Sequence, residues 1–213
     1  MKQIITLLLI TITGLVACKD KTQNSEKTGV MEATESRAAE ITTNPADDSV
    51  AIRKVITEFY NWYNKNYAKF REYDLYSGIK KKDAPPYKIN WEEVEKYQQF
   101  IRTSVPQLGE EFLMNQKRFF QQCDSAFKVD TGDDIPYGFD YDWYTNSQED
   151  AQYLVDQINR GTPWIITRAG NYITVDVRGG VDINGKKGEG SFITITMKNE
   201  NGQWKIARIG SDY

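Results

Sequence analysis

The 213-residue chain predicts an α+β domain, with N-terminal helices first and an antiparallel β-sheet last. Apolar residues recur at helical spacing through the first part of the domain. Over roughly the last fifty residues the period falls to two, with β-branched side chains. Asn184-Gly185 and Asn201-Gly202 are hairpin-turn dipeptides among those alternating runs.

The first helix is carried by SVAIRKVITEFYNWYNKNYAKF, residues 49–70. Ile52, Ile56, Phe59, Tyr63 and Phe70 share one face, with Val55 and Tyr67 at its edges. Asp48 or Ser49 offers the cap. Gly78, Pro85 and Pro86 mark a loop over 77–89.

Asn90 and Glu93 then have the spacing of a capping box. Val94, Tyr97 and Ile101 continue that helix, and Pro106 ends it near Ser104. A third helix places Leu108, Phe112, Phe119 and Cys123 on one face, with Phe127 at its edge. Gln116 falls among them, either hydrogen-bonded in the core or lining a polar-apolar pocket. A short helix follows over 147–160, with Ser147 as cap, Asp150 in its first turn and Gly161 at its end. Leu154, Val155 and Ile158 form its inward face.

In the strands, Ile173, Val175 and Val177 alternate with polar neighbours, as do Ile193, Ile195 and Met197. The last strand is Gln203 to Ile209, with Trp204 and Ile206 on one face.

Composition excludes several functions. The formal charge is −3, and no basic block provides a footprint for nucleic acid. Lys80-Lys81-Lys82 reads as a solvated loop. There is no histidine, which removes Ser-His-Asp and Cys-His catalysis and His-ligated zinc. No phosphate-binding glycine motif occurs, and no cofactor or metal is expected. Of the two cysteines, Cys123 lies at core spacing and reads as a small core residue.

The other cysteine, Cys18, ends an apolar run that follows Lys2. That run is shorter than the roughly 20 residues needed to span a bilayer and fits a signal peptide over residues 1–17. Leu15-Val16-Ala17-Cys18 resembles the bacterial lipobox. The resemblance implies cleavage before Cys18 and lipidation of its thiol, including a palmitate-type chain. More than one acyl chain holds a protein stably on a membrane, at about 0.8 kcal/mol per buried CH₂. Lys19 lacks the aspartate that retains such proteins at the inner membrane of enterobacteria, and Lys19-Asp20 resembles the charged export tag of surface lipoproteins in Bacteroidota. The expected location is the cell envelope, at the outer membrane, facing the periplasm or the cell surface.

Residues 18–49 comprise the lipidated cysteine and a polar segment without aromatics, which reads as a disordered tether. Its 31 residues after Cys18 reach roughly 100 Å at full stretch. Residues 50–213 are one domain.

VITEFYNWY, Pro106-Gln107-Leu108, Asp142-Trp143 and the closing KNENGQWKIARIG resemble a domain-of-unknown-function group of small bacterial lipoproteins in the nuclear transport factor 2-like (cystatin-like) superfamily. The resemblance implies helices in the concave face of a bent sheet, with a cone-shaped cavity between them. Some members of the superfamily are isomerases or dehydratases with an Asp base, while others only bind or scaffold. Fold alone does not choose between these.

Tyr63, Gln116, Tyr141 and Trp143 are candidates to line such a pocket. Asp130, Asp133, Asp134, Asp140 and Asp142 form an acidic loop that could hold calcium, though it lacks the EF-hand pattern. The plainer reading is a solvated loop, with Asp140 and Asp142 titrating near 3.9. Trp62 and Tyr73 fit the core stripe less well and are candidates for the surface. The expected function is a non-enzymatic binding or scaffold domain, anchored by its lipid and facing an envelope protein or small ligand. The alternatives are a small-molecule enzyme in the cone cavity and an immunity-type lipoprotein that blocks a toxin.

Overall fold

The computed structural model describes residues 45–79, 83–132, 135–148, 150–160, 164–178 and 191–210. The expectations for residues 1–44, the lysine run at 80–82, Asp133, Asp134, Gly161 and the Asn184-Gly185 turn lie outside them. Among the described residues four helices precede four strands, the order that the periodicities predict, with one strand more than they mark. The helices are α1 (Pro45–Phe70), α2 (Trp91–Ser104), α3 (Glu110–Phe127) and α4 (Ala151–Asn159). The strands are β1 (Ile165–Ala169), β2 (Tyr172–Arg178), β3 (Ser191–Glu200) and β4 (Gln203–Ile209). They form an open antiparallel sheet in the order β1-β2-β3-β4.

Helix α1 buries Ile52, Ile56, Phe59, Tyr60, Tyr63 and Phe70 along one stripe. It begins at Pro45, ahead of the expected cap. Asp48 therefore lies inside the first turns, and its carboxylate reaches Arg168 on β1 and Trp204 on β4. Helix α2 ends at Ser104 as Pro106 requires, with Val94, Tyr97 and Ile101 buried. Asn90 occupies its cap position, but the capping box does not form. Glu93 instead takes the ammonium of Lys96 at 2.8 Å. A charge-assisted partner one turn away outcompetes a neutral backbone N–H.

Helix α3 is entered differently from the expectation. Leu108 is not helical but bridges in parallel to Ile206. The Ile206 N–H donates to the Gln107 carbonyl at 2.8 Å, and Gly109 N–H to the Ile206 carbonyl at 2.9 Å. This short segment covers the outer edge of β4. The Glu200 carboxylate accepts from the N–H groups of Glu110 and Glu111, so the start of α3 is capped from β3. A Cβ on Gly109 would stand 2.7 Å from that carboxylate, so a larger residue there would make the Glu200 side chain shift.

Helix α4 is capped by Asp150, whose side chain accepts from Gln152 N–H at 2.7 Å. Ser147 does not cap it, because its backbone pairs with Asp142. Leu154, Val155 and Ile158 face inward as expected.

Residues in β2 and β3 alternate as predicted, with Ile173, Val175, Val177, Ile193, Ile195 and Met197 buried. Asn201 and Gly202 both have positive φ, +54° and +82°, the requirement of a type I′ hairpin. In β4 the alternation breaks. Met197 pairs with Ile206 and Thr196 with Arg208, which leaves Ala207 as the extra residue of a bulge. Strand β1 has no signature in the sequence because all five of its residues are exposed.

Candidate functional site

The loop between α3 and α4 is pinned by one carboxylate. Asp142 Oδ1 accepts from the backbone N–H groups of Tyr144 at 2.8 Å and Thr145 at 3.4 Å. Its Oδ2 accepts from the Tyr63 hydroxyl at 2.5 Å. Desolvation raises the Asp142 pKa above its ordinary 3.8, and these three hydrogen bonds pull against the rise. The expectation of a solvated Asp142 titrating near its reference value is thereby corrected. Asp142 turns its side chain inward to Tyr63, while Asp140 is exposed. Burial, then the Asp142 charge, raises the Tyr63 pKa far above 10, so Tyr63 stays a donor.

Tyr144 is the centre of this region, and no pattern in the sequence marks it. Its hydroxyl shares a hydrogen bond with Tyr97 at 2.5 Å and accepts from Gln116 Nε2 at 3.1 Å. Its carbonyl accepts from the Tyr60 hydroxyl at 2.9 Å. Its ring lies 4.7 Å from that of Phe70 and 4.9 Å from that of Tyr63. Burial raises the phenol pKa values of Tyr97 and Tyr144. The result is a knot of protonated phenols, engaged with one another and shielded by rings.

Beside the knot is a cavity of about 10 Å³. Phe112, Asn115, Gln116 and Phe119 line it from one face of α3, Trp143 from the loop, and Ala207 and Arg208 from β4. Of the four expected pocket residues, Gln116 and Trp143 meet here. Tyr63 and Tyr141 do not line the cavity; Tyr63 faces Asp142 instead. Gln116 satisfies both of its alternative readings, since it is hydrogen-bonded in the core and lines the cavity. Its Oε1 and the Nε of Arg208 are buried without a hydrogen-bond partner among the described residues. Each such group costs about 1–3 kcal/mol if left unpaired. A volume of this size holds about one water molecule.

Asp130 is exposed and accepts from Gly132 N–H at 3.0 Å, a local turn contact. Among the described residues no group of three metal-ligating side chains occurs, and the described part of the acidic loop does not converge. Cys123 is fully buried and its thiol pKa is pushed up to about 12 by burial. Trp62 and Tyr73 are half-buried rather than surface residues. Trp62 packs edge-on against Phe70 and Tyr73 against Tyr97.

The second polar junction is Asp48 with Arg168 and Trp204. Asp48 is 4% exposed. An indole N–H that buries its ring needs an acceptor, and this was the available signal. The acceptor, Asp48, has in sequence the position of a helix cap. In comparisons with protein-family models, curated proteins and solved structures, nothing matches this chain.

Proposed function

We propose that this chain is a lipid-anchored protein of the bacterial cell envelope whose domain acts through its surface, as a binding or scaffold module. The observation that carries this reading is the filled space between helices and sheet. Tyr63, Phe70, Tyr97 and Phe112 close around Tyr144, and the cavity beside them has room for about one water. The carboxylate best placed to act as a base, Asp142, already accepts three hydrogen bonds. The anchor rests on Leu15-Val16-Ala17-Cys18, and helices before sheet is the order that the nuclear-transport-factor-2-like resemblance implies.

The surface best suited to a partner is the outer edge of β1. The other edge of the sheet is covered by residues 107–109, whereas β1 has no neighbour there among the described residues. It presents Ile165 and Ile166, 45% and 37% exposed. Its one charge, Arg168, is met by Asp48. An exposed, locally neutral strand edge takes an extended segment of a partner protein by strand addition.

The test is a photo-crosslinking residue at Thr167, with one at Lys65 on the exposed side of α1 as control, in intact cells. A discrete adduct from position 167 alone, lost when Ile165 and Ile166 are changed to lysine, is the expected outcome. Equal labelling from both positions would overturn the assignment of the edge. The small-molecule enzyme reading draws on the Tyr63–Asp142 pair and requires the ring cluster to open. A substrate-sized ligand seated against Asp142 in a crystal structure would favour it.

A further inference from the structure

We infer that the cavity between α3 and β4 is a binding site for a single structural water, which donates to Gln116 Oε1 and accepts from Arg208 Nε–H. The two atoms are buried, lack partners among the described residues, and belong to residues that line the same 10 Å³ space. The polar side-chain groups of Asn115 and Trp143 in the lining are committed. Asn115 Nδ2 donates to the Ala207 carbonyl at 3.0 Å, and its Oδ1 accepts from Arg118 at 3.1 Å. Trp143 Nε1–H donates to the Gly138 carbonyl at 2.6 Å.

The ligand follows from one buried acceptor and one buried donor without partners among the described residues, beside a space of one molecule. A halide would suit the guanidinium N–H but face the amide oxygen. A sodium ion would suit the amide oxygen but face the Arg208 charge. Water meets both atoms with the correct polarity, and the space of about 10 Å³ is of the order of one water molecule.

The position gives the water a structural task. Gln116 Nε2 already donates to Tyr144, which shares a hydrogen bond with Tyr97. Through the water this chain continues to Arg208, the residue after the β4 bulge. The bulge is thus held from α3 twice, by Asn115 directly and by Gln116 through solvent. Water-mediated contacts of this kind are nearly as favourable in enthalpy as direct ones.

The deciding experiment is a high-resolution crystal structure of the folded protein. One ordered solvent within about 3.2 Å of both Gln116 Oε1 and Arg208 Nε is expected. An empty cavity, or Arg208 turned away with Nε in bulk solvent, would overturn the assignment. In solution, oxygen-17 relaxation dispersion counts long-lived waters. The amplitude should fall by about one water in Gln116→Met, which keeps the volume and removes both polar atoms. An unchanged amplitude in a folded Gln116→Met protein would also overturn it. If that variant does not fold, Arg208→Met supplies the same difference, and the wild-type density decides in either case.

Discussion

Asp48 and Trp204, 156 residues apart in sequence, meet through a hydrogen bond of 2.9 Å from the indole Nε1–H to the carboxylate. The other carboxylate oxygen takes the Arg168 guanidinium, which also lies 5.7 Å from the centre of the Trp204 ring. One buried side chain near the start of α1 is therefore tied to both edge strands of the sheet. Asp48→Ala strands an indole N–H and a partly exposed guanidinium. A loss of about 1–3 kcal/mol is expected in urea unfolding. An unchanged midpoint would mean that solvent replaces the carboxylate at no cost.

Trp204 carries the packing half of the same junction. It is 8% exposed and lies on the core face of β4 with Ile206. Truncation to alanine should remove roughly 3–5 kcal/mol, out of a typical domain stability of about 5–15 kcal/mol. The variant should melt far below the wild type; a melting temperature within a degree of it would place the indole outside the core.

Asp142 sets a pH dependence whose sign can be worked out. Desolvation raises its pKa in the folded chain above the ordinary 3.8. Between the two values the folded state binds the proton more tightly, so stability falls as pH rises through that window and is level above it. Asp142→Asn should abolish this decline. Tyr63→Phe removes a hydrogen bond that favours the charged form, so it should move the Asp142 titration higher still. Carboxylate NMR of both proteins checks this; a downward move in Tyr63→Phe would contradict it.

Gly138 marks where the loop presses on α3. Its φ is +81°, and a Cβ there would stand 2.5 Å from the Phe119 ring and 2.9 Å from Cys123 Sγ. Gly138→Ala should destabilise the domain by about 1–3 kcal/mol through overpacking. It should also admit a thiol reagent to Cys123, which the wild type shields. Equal labelling rates in the two folded proteins would show that the loop yields without opening the core.

The proposed anchor makes a cellular prediction. Cys18→Ala should shift the protein from the membrane to the soluble fraction and stop maturation of its N-terminus. Retention of that variant in the detergent phase would rule out the lipid as the anchor.

Reading the sequence alone determined the class of fold, the inward faces of α1 to α4, and the period-two strands β2 to β4. Those features repeat within a few residues, so local pattern is enough to find them. The proposed address at Cys18 rests on an equally local pattern. Strand β1 escaped because a strand exposed on both faces has no alternation to detect. The helix caps differ from the capping pattern because Lys96 takes Glu93 and the Asp142 pairing takes Ser147, through competition that such a pattern does not encode. The centre of the candidate site was hidden for a further reason. Tyr144 and Asp48 acquire their roles from partners 28 to 156 residues distant. Only the folded chain brings Tyr63 to Asp142, or Trp204 to Asp48, because hydrogen bonds and desolvation depend on distance in space. Spacing along the chain could suggest which polar side chains were unusual, and the packing decided which of them were buried and joined.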